Sequence, residues 1–116
     1  MKANTVIYGW KRSVPGREHL SAAHFTEFTH YLAGLQEQGV IQSFEPILLD
    51  PNGDNIVGFF LIKVGEGGIG QLIDRVDFTE HIIRSMFHIE EPNLSHGVSG
   101  AAVMERMARW AAFIPQ

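Results

Sequence analysis

The sequence predicts an α+β domain in the order strand, helix, strand, strand, helix, strand, with an added helix at its C-terminal end. Three observations carry this. Runs rich in β-branched and aromatic residues occupy positions 4–12, 40–49 and 56–64. Apolar residues step by three and four over 17–38 and again over 101–114. Clusters of Gly, Pro, Asn and Ser separate these segments.

In the first strand, "NTVIYGWKR", Val6, Tyr8 and Trp10 share one face and Ile7 and Gly9 the other. "SVPG" breaks it. The helix that follows carries Phe25, Phe28, Leu32 and Leu35 on one side and ends at Gly39, a residue suited to the left-handed cap position. Strands two and three flank "DPNGDN", whose Pro, Asn and Gly supply the restricted and positive φ values of a reversal, so the two form a hairpin. "GEGGIGQLIDRV" leads into a short helix with Ile69, Leu72, Ile73 and Val76 inward. Asp77 and Glu80 have the spacing of a cap and its reciprocal partner, so the chain is expected to restart there. The stretch "EHIIRSMFHIEEP" fits two periods: Ile83, Phe87 and Ile89 alternate loosely, whereas Phe78, Ile82 and Met86 fit a helix. We read it as the fourth strand, ending near Glu91, and "PNLSHGVSG" as a turn. Val103, Met107, Trp110 and Ile114 mark the terminal amphipathic helix.

This order is the split βαβ pattern of the ferredoxin-like fold. Right-handed crossovers then give the strand order 4-1-3-2 and put both main helices on one face of the sheet. Strands two and three are apolar on both sides, so the other face needs cover that one domain of 116 residues does not supply. A second copy of the chain, hence a homodimer, is the economical answer.

By its order of elements the chain resembles the dimeric α+β barrel superfamily, in which two ferredoxin-like domains pack sheet to sheet. From "GWKRSVPGREH" through "FEPILLDPNGDNIVGFFLIK" it also looks like a group of small uncharacterised bacterial proteins of this architecture. Proteins of related architecture include cofactor-independent monooxygenases, lactone isomerases, chlorite dismutase-like haem proteins and regulatory ligand-binding domains. The resemblance therefore implies a fold and a dimer without choosing a reaction.

Composition removes several function classes. Apolar residues make up 45% and charged residues 19%, ordinary globular values. A formal charge of -4 with nine scattered basic residues offers no footprint for a phosphate backbone, so nucleic acid is not an expected partner. Without cysteine there is no disulfide, thiolate catalysis or Cys-based zinc site. No stretch approaches the ~18 apolar residues of a membrane span, and Met1 and Lys2 lead directly into a strand, so no membrane association is expected and a cytoplasmic location is.

Candidate site residues come from local oddities. Glu45 sits mid-strand before Pro46, which cannot donate to a ladder and so places strand two at the sheet edge or at a bulge. Facing an enclosed space, Glu45 would be a tunable acid or base; facing water, it would be an edge charge that discourages aggregation. Tyr8 and Trp10 share a face and either line a ligand pocket or pack the core. Arg12 and Arg17 flank the loop after strand one, where they would clamp an anion or simply be solvated. Of the six histidines, His81 and His88 fall in the segment expected to close the wall of the barrel. With Glu45 they would form a two-His, one-carboxylate set, but their spacing matches no recognised ligand motif, and no metal is expected. His19, His24 and His30 belong to the first helix, where surface positions are the default. "GEGGIG" is not followed by the Lys-Ser/Thr pair of a phosphate loop, so it is read as a connection, and no cofactor is expected.

The resulting expectation is a homodimer that binds a small, partly apolar molecule between sheet and helices. In an enzymatic version, of oxygenase or isomerase type without a cofactor, Glu45 or His81 is the general base, and Tyr8, Trp10, Arg12 and His88 contact the ligand. In the alternative, a non-catalytic dimer, the polar residues settle an interface.

Overall fold

The computed structural model describes residues 2–53 and 56–115. It is a mixed α+β structure: β1 (Thr5–Trp10), β2 (Arg12–Ser13), α1 (Glu18–Glu37), β3 (Ser43–Leu48), β4 (Gly58–Lys63), α2 (Ile69–Ile73), α3 (Val76–Ser85), β5 (Ile89–Glu90), β6 (Asn93–Gly97) and α4 (Ala102–Ala111). The main sheet has the order β3-β4-β1-β6, and each neighbouring pair is antiparallel. Pro46 accordingly lies on an edge strand, where its missing N–H breaks no central ladder. The β3–β4 hairpin forms as expected. Asp54 and Asn55, in its reversal, lie outside the described residues.

Register fixes the two faces. Tyr8 pairs with Phe60, and Phe60 with Pro46; Ile7 pairs with Leu61, and Leu61 with Glu45. Residues directly opposite in a ladder share a face, so Val6, Tyr8, Trp10, Phe60 and Ile62 point one way, and Ile7, Leu61 and Glu45 the other. The first set is buried with Phe28, Leu32, Leu35, Leu72 and Phe78 in a single core between the sheet and the helices. On the second face Ile7 remains 38% exposed.

Two sequence expectations are corrected. Residues 80–85, read as the start of the fourth strand, belong to helix α3. The helical spacing prevails because Phe78 and Ile82, one turn apart, pack into the core, whereas Ile83 and Phe87 remain exposed. The fourth strand is β6, within the segment read as a turn. As an edge strand it pairs with β1 alone and keeps most of its side chains in solvent, which is why "NLSHG" lacks an apolar alternation. What remains of the expected strand is β5, which pairs with β2 in a small second ladder.

The chain does restart after α2, but not through a capping box. The N-cap of α3 is Arg75 in extended conformation, with no side-chain cap bond. Asp77 instead accepts hydrogen bonds from the Tyr31 hydroxyl at 2.7 Å, from Arg75 Nε at 3.0 Å and from the Phe78 N–H at 2.8 Å. The Arg75 guanidinium holds the Asp77 carboxyl down at about 2. Val76, expected inward, is exposed. The terminal helix α4 forms, yet none of its residues is buried. Among the described residues no helix is long and apolar enough to cross a membrane.

Candidate functional site

The stripe that seats α1 on the sheet begins earlier than its aromatic residues suggest. Ser21, His24, Phe28, Leu32 and Leu35, at steps of three and four, are its buried positions. His24 is only 5% exposed, so the surface position expected for it from sequence is wrong. The signal was present: stepping back from Phe28 by one turn reaches His24, and from there by three residues Ser21.

Packing α3 and the following turn against α1 gathers three histidines. Ser21 Oγ lies 2.7 Å from His88 Nδ1, His88 Nε2 lies 2.9 Å from His24 Nδ1, and His24 Nε2 lies 3.1 Å from His81 Nδ1. Ser13 extends the chain by donating to Ser21 at 2.7 Å. His24 stacks on His81 at a centroid distance of 5.4 Å and meets His88 edge-on at 5.1 Å. No buried side-chain polar atom among the described residues lacks a partner.

Burial disfavours the charged imidazolium, so all three rings titrate below the ordinary histidine range. His24, which also feels the Arg84, His88 and His81 charges, falls to about 4. The rings are therefore neutral at pH 7. Glu27, one turn after His24 on α1, is ion-paired with Arg84 of α3 at 2.5 Å. His24, Glu27 and His81 each offer a ligand atom, all within 4.8 Å of one another.

Two clefts flank α1. One, of about 510 Å³, opens between α1 and the β3 side of the sheet, with Trp10, Phe25, Phe60 and Pro46 as apolar walls and Ser21 and Thr29 as polar groups. The other, of about 390 Å³, lies between α1 and α3 and is bordered by His24, Glu27, Arg84, Phe87 and His88. Ser21 reaches the first cleft and His88 the second.

The residues singled out from sequence are thus split. His81 and His88 come together through His24. Trp10 borders the larger cleft, with its indole 4.5 Å from Phe25 between ring centroids. Tyr8 lies in the core: it is 1% exposed and its hydroxyl is hydrogen-bonded to Ser85. Arg12 is engaged by Glu90 at 2.5 Å across the β2–β5 ladder, so it is no unpaired anion clamp. Glu45 is exposed and lies on the opposite face of the sheet from Tyr8 and Trp10, so it borders neither cleft. Arg17 donates to the Phe87 carbonyl at 2.7 Å.

Compared with protein-family models, with curated proteins and with solved structures, the chain shows no match.

Proposed function

We propose that this protein is a homodimer of ferredoxin-like protomers that binds a small, partly apolar molecule in the cleft between α1 and the sheet. The observation that carries this reading is the lining of that cleft: Trp10, Phe25 and Phe60 as apolar surface together with the polar residues Ser21 and Thr29, in a volume of about 510 Å³. Ligand sites characteristically combine an apolar wall with a few polar groups that fix orientation, in volumes of about 300–1,000 Å³. Trp10 and Phe25, already in ring contact with each other, would present one apolar surface to a flat, aromatic or lactone-sized group. Because neither Glu45 nor His81 borders this cleft, the reading is one of binding, not of proton transfer by those residues.

The dimeric part of the reading rests on apolar surface left without cover. Ile7 on the open sheet face is 38% exposed, and on α4 Trp110 is 66% exposed. Such surface on one domain is characteristic of an association site, and it equally favours a second, non-catalytic reading in which the dimer itself is the working unit.

A thermal-shift screen of aromatic carboxylic acids and lactones tests the binding reading, since a ligand held by the native state alone raises the melting temperature. Ala22, exposed on α1 at the cleft rim, offers the control: Ala22→Phe fills the space without touching the core. The reading predicts a shift that disappears in Ala22→Phe. Absence of any shift, or a shift that survives the filled cleft, would refute it.

A further inference from the structure

We propose that His24, Glu27 and His81 form a site for one divalent first-row transition-metal ion, bound by two imidazoles and one carboxylate. This site lies on the α3 side of α1 and does not depend on the ligand cleft.

Geometry is the first argument. Nitrogen donors bond such ions at about 2.0–2.1 Å, which on a tetrahedral ion sets two of them about 3.3 Å apart. His24 Nε2 and His81 Nδ1 are 3.1 Å apart, so a movement of a few tenths of an ångström admits the ion. Glu27 lies three residues after His24 on the same helix, which puts its carboxylate beside the imidazole. The donor set, two neutral nitrogens and one oxygen, suits zinc, iron, cobalt or nickel more than magnesium or calcium, which prefer oxygen.

The second argument is the support behind the ligands. Ligating histidines usually donate their other N–H to a fixed acceptor, which sets the tautomer. The contacts His24 Nδ1–His88 Nε2 at 2.9 Å and His88 Nδ1–Ser21 Oγ at 2.7 Å accommodate this when both Nδ1 atoms carry the proton, so that His24 Nδ1–H donates to His88 and His88 Nδ1–H to Ser21. That assignment leaves the His24 Nε2 lone pair directed at the gap shared with His81. Without an ion the gap is closed by the His81 Nδ1–H. With one, His81 takes the other tautomer, its proton moving to Nε2, and Nδ1 becomes a ligand. No net proton is gained or lost by either ring.

Arg84 is the opposing group. Its guanidinium holds Glu27 Oε2 at 2.5 Å, and its side chain is half exposed, so it can yield its position or share the carboxylate by holding one oxygen while the ion takes the other. Either way its charge works against the ion. Because His24 and Glu27 border the cleft of about 390 Å³, the remaining coordination positions would be open to water.

Metal-stripped full-length protein titrated with cobalt(II), followed by its visible absorption, and with zinc(II), followed by calorimetry, tests the proposal. One ion per chain is expected. His81→Gln and Glu27→Gln alter partly or fully exposed side chains, so both should fold; each is expected to weaken binding by more than the ~10–100-fold typical of an outer-shell change, and Ser21→Ala by about that amount. Arg84→Gln should bind more tightly than the parent, which a mere salt-bridge role would not produce. His96→Gln, an exposed histidine on β6, should leave binding unchanged. Failure to take up a stoichiometric ion, or uptake indifferent to His81→Gln and Glu27→Gln, overturns the site.

Discussion

Trp10 stands directly opposite Gly58 in the β1–β4 ladder, and its ring occupies the space that a side chain at Gly58 would need. A β-carbon built on Gly58 would lie 3.1 Å from Trp10 Cζ2, 2.8 Å from Leu48 Cδ2 and 2.9 Å from the Ile47 carbonyl oxygen. The glycine thus allows the close approach of the indole, which lines the larger of the two clefts beside α1. Gly58→Ala should cost about 1–3 kcal/mol by overpacking and displace Trp10. Urea unfolding and the emission of Trp10, isolated in a Trp110→Phe background, would register both. An unchanged emission maximum with unchanged stability would contradict the close approach.

The histidine chain makes the metal-free protein sensitive to mild acid. His24 falls from 6.5 in the unfolded chain to about 4 in the fold, so the native state favours its neutral form. That contribution is complete above pH 6.5 and is lost as pH falls through 6.5 towards 4. For His24 it is of order 3 kcal/mol. His81 and His88 shift in the same direction, and Arg84 adds to the effect. The carboxyls of Glu27 and Asp77 are held below their ordinary range, so their loss of stabilisation falls at lower pH. Unfolding midpoints measured in chelator between pH 7.5 and 4.5 should drop, and the drop should shrink in His24→Gln. A flat profile would show that the rings are not desolvated as described.

Tyr8 provides a test of core against ligand role. Its hydroxyl is buried on Ser85, whose own hydroxyl also donates to the Ile82 carbonyl at 2.6 Å. Tyr8→Phe should therefore lower stability by about 1 kcal/mol and leave ligand-induced thermal shifts the same size. A variant of parental stability with altered ligand response would place the hydroxyl in a binding role instead.

The proposed dimer can be tested at the open sheet face and α4. Each chain weighs 13.0 kDa, and the proposed dimer should sediment at twice that mass. Ile7→Glu puts a charge on the uncovered face without entering the core, and should shift the equilibrium towards monomer, because an unpaired charge in an interface costs more than its exposure does. A monomeric parent, or a dimer indifferent to Ile7→Glu and to removal of α4, would leave the sheet face without a role in association.

The sequence alone was sufficient for the elements whose pattern is carried within one segment. The α1 stripe, the β3–β4 hairpin, the edge position marked by Pro46 and the amphipathic α4 could all be read because period, turn chemistry and the missing proline donor act over a few residues. Residues 80–85 and 93–97 were misassigned for the converse reason. Ile83 and Phe87 alternate well enough for a strand, and only the core that receives Phe78 and Ile82 selects a helix; β6 is held by backbone bonds to β1 that leave little trace in its side chains. The histidine cluster lay further still from view. His24 is 57 residues from His81 and 64 from His88, so nothing in their spacing announces contact, and Glu45, the most conspicuous ionisable residue in the sequence, lies on the other side of the sheet. Local pattern determined which segments are helix or strand, whereas the packing of α1 against α3 decided which polar side chains meet, because proximity between distant segments arises only when their apolar faces share one core.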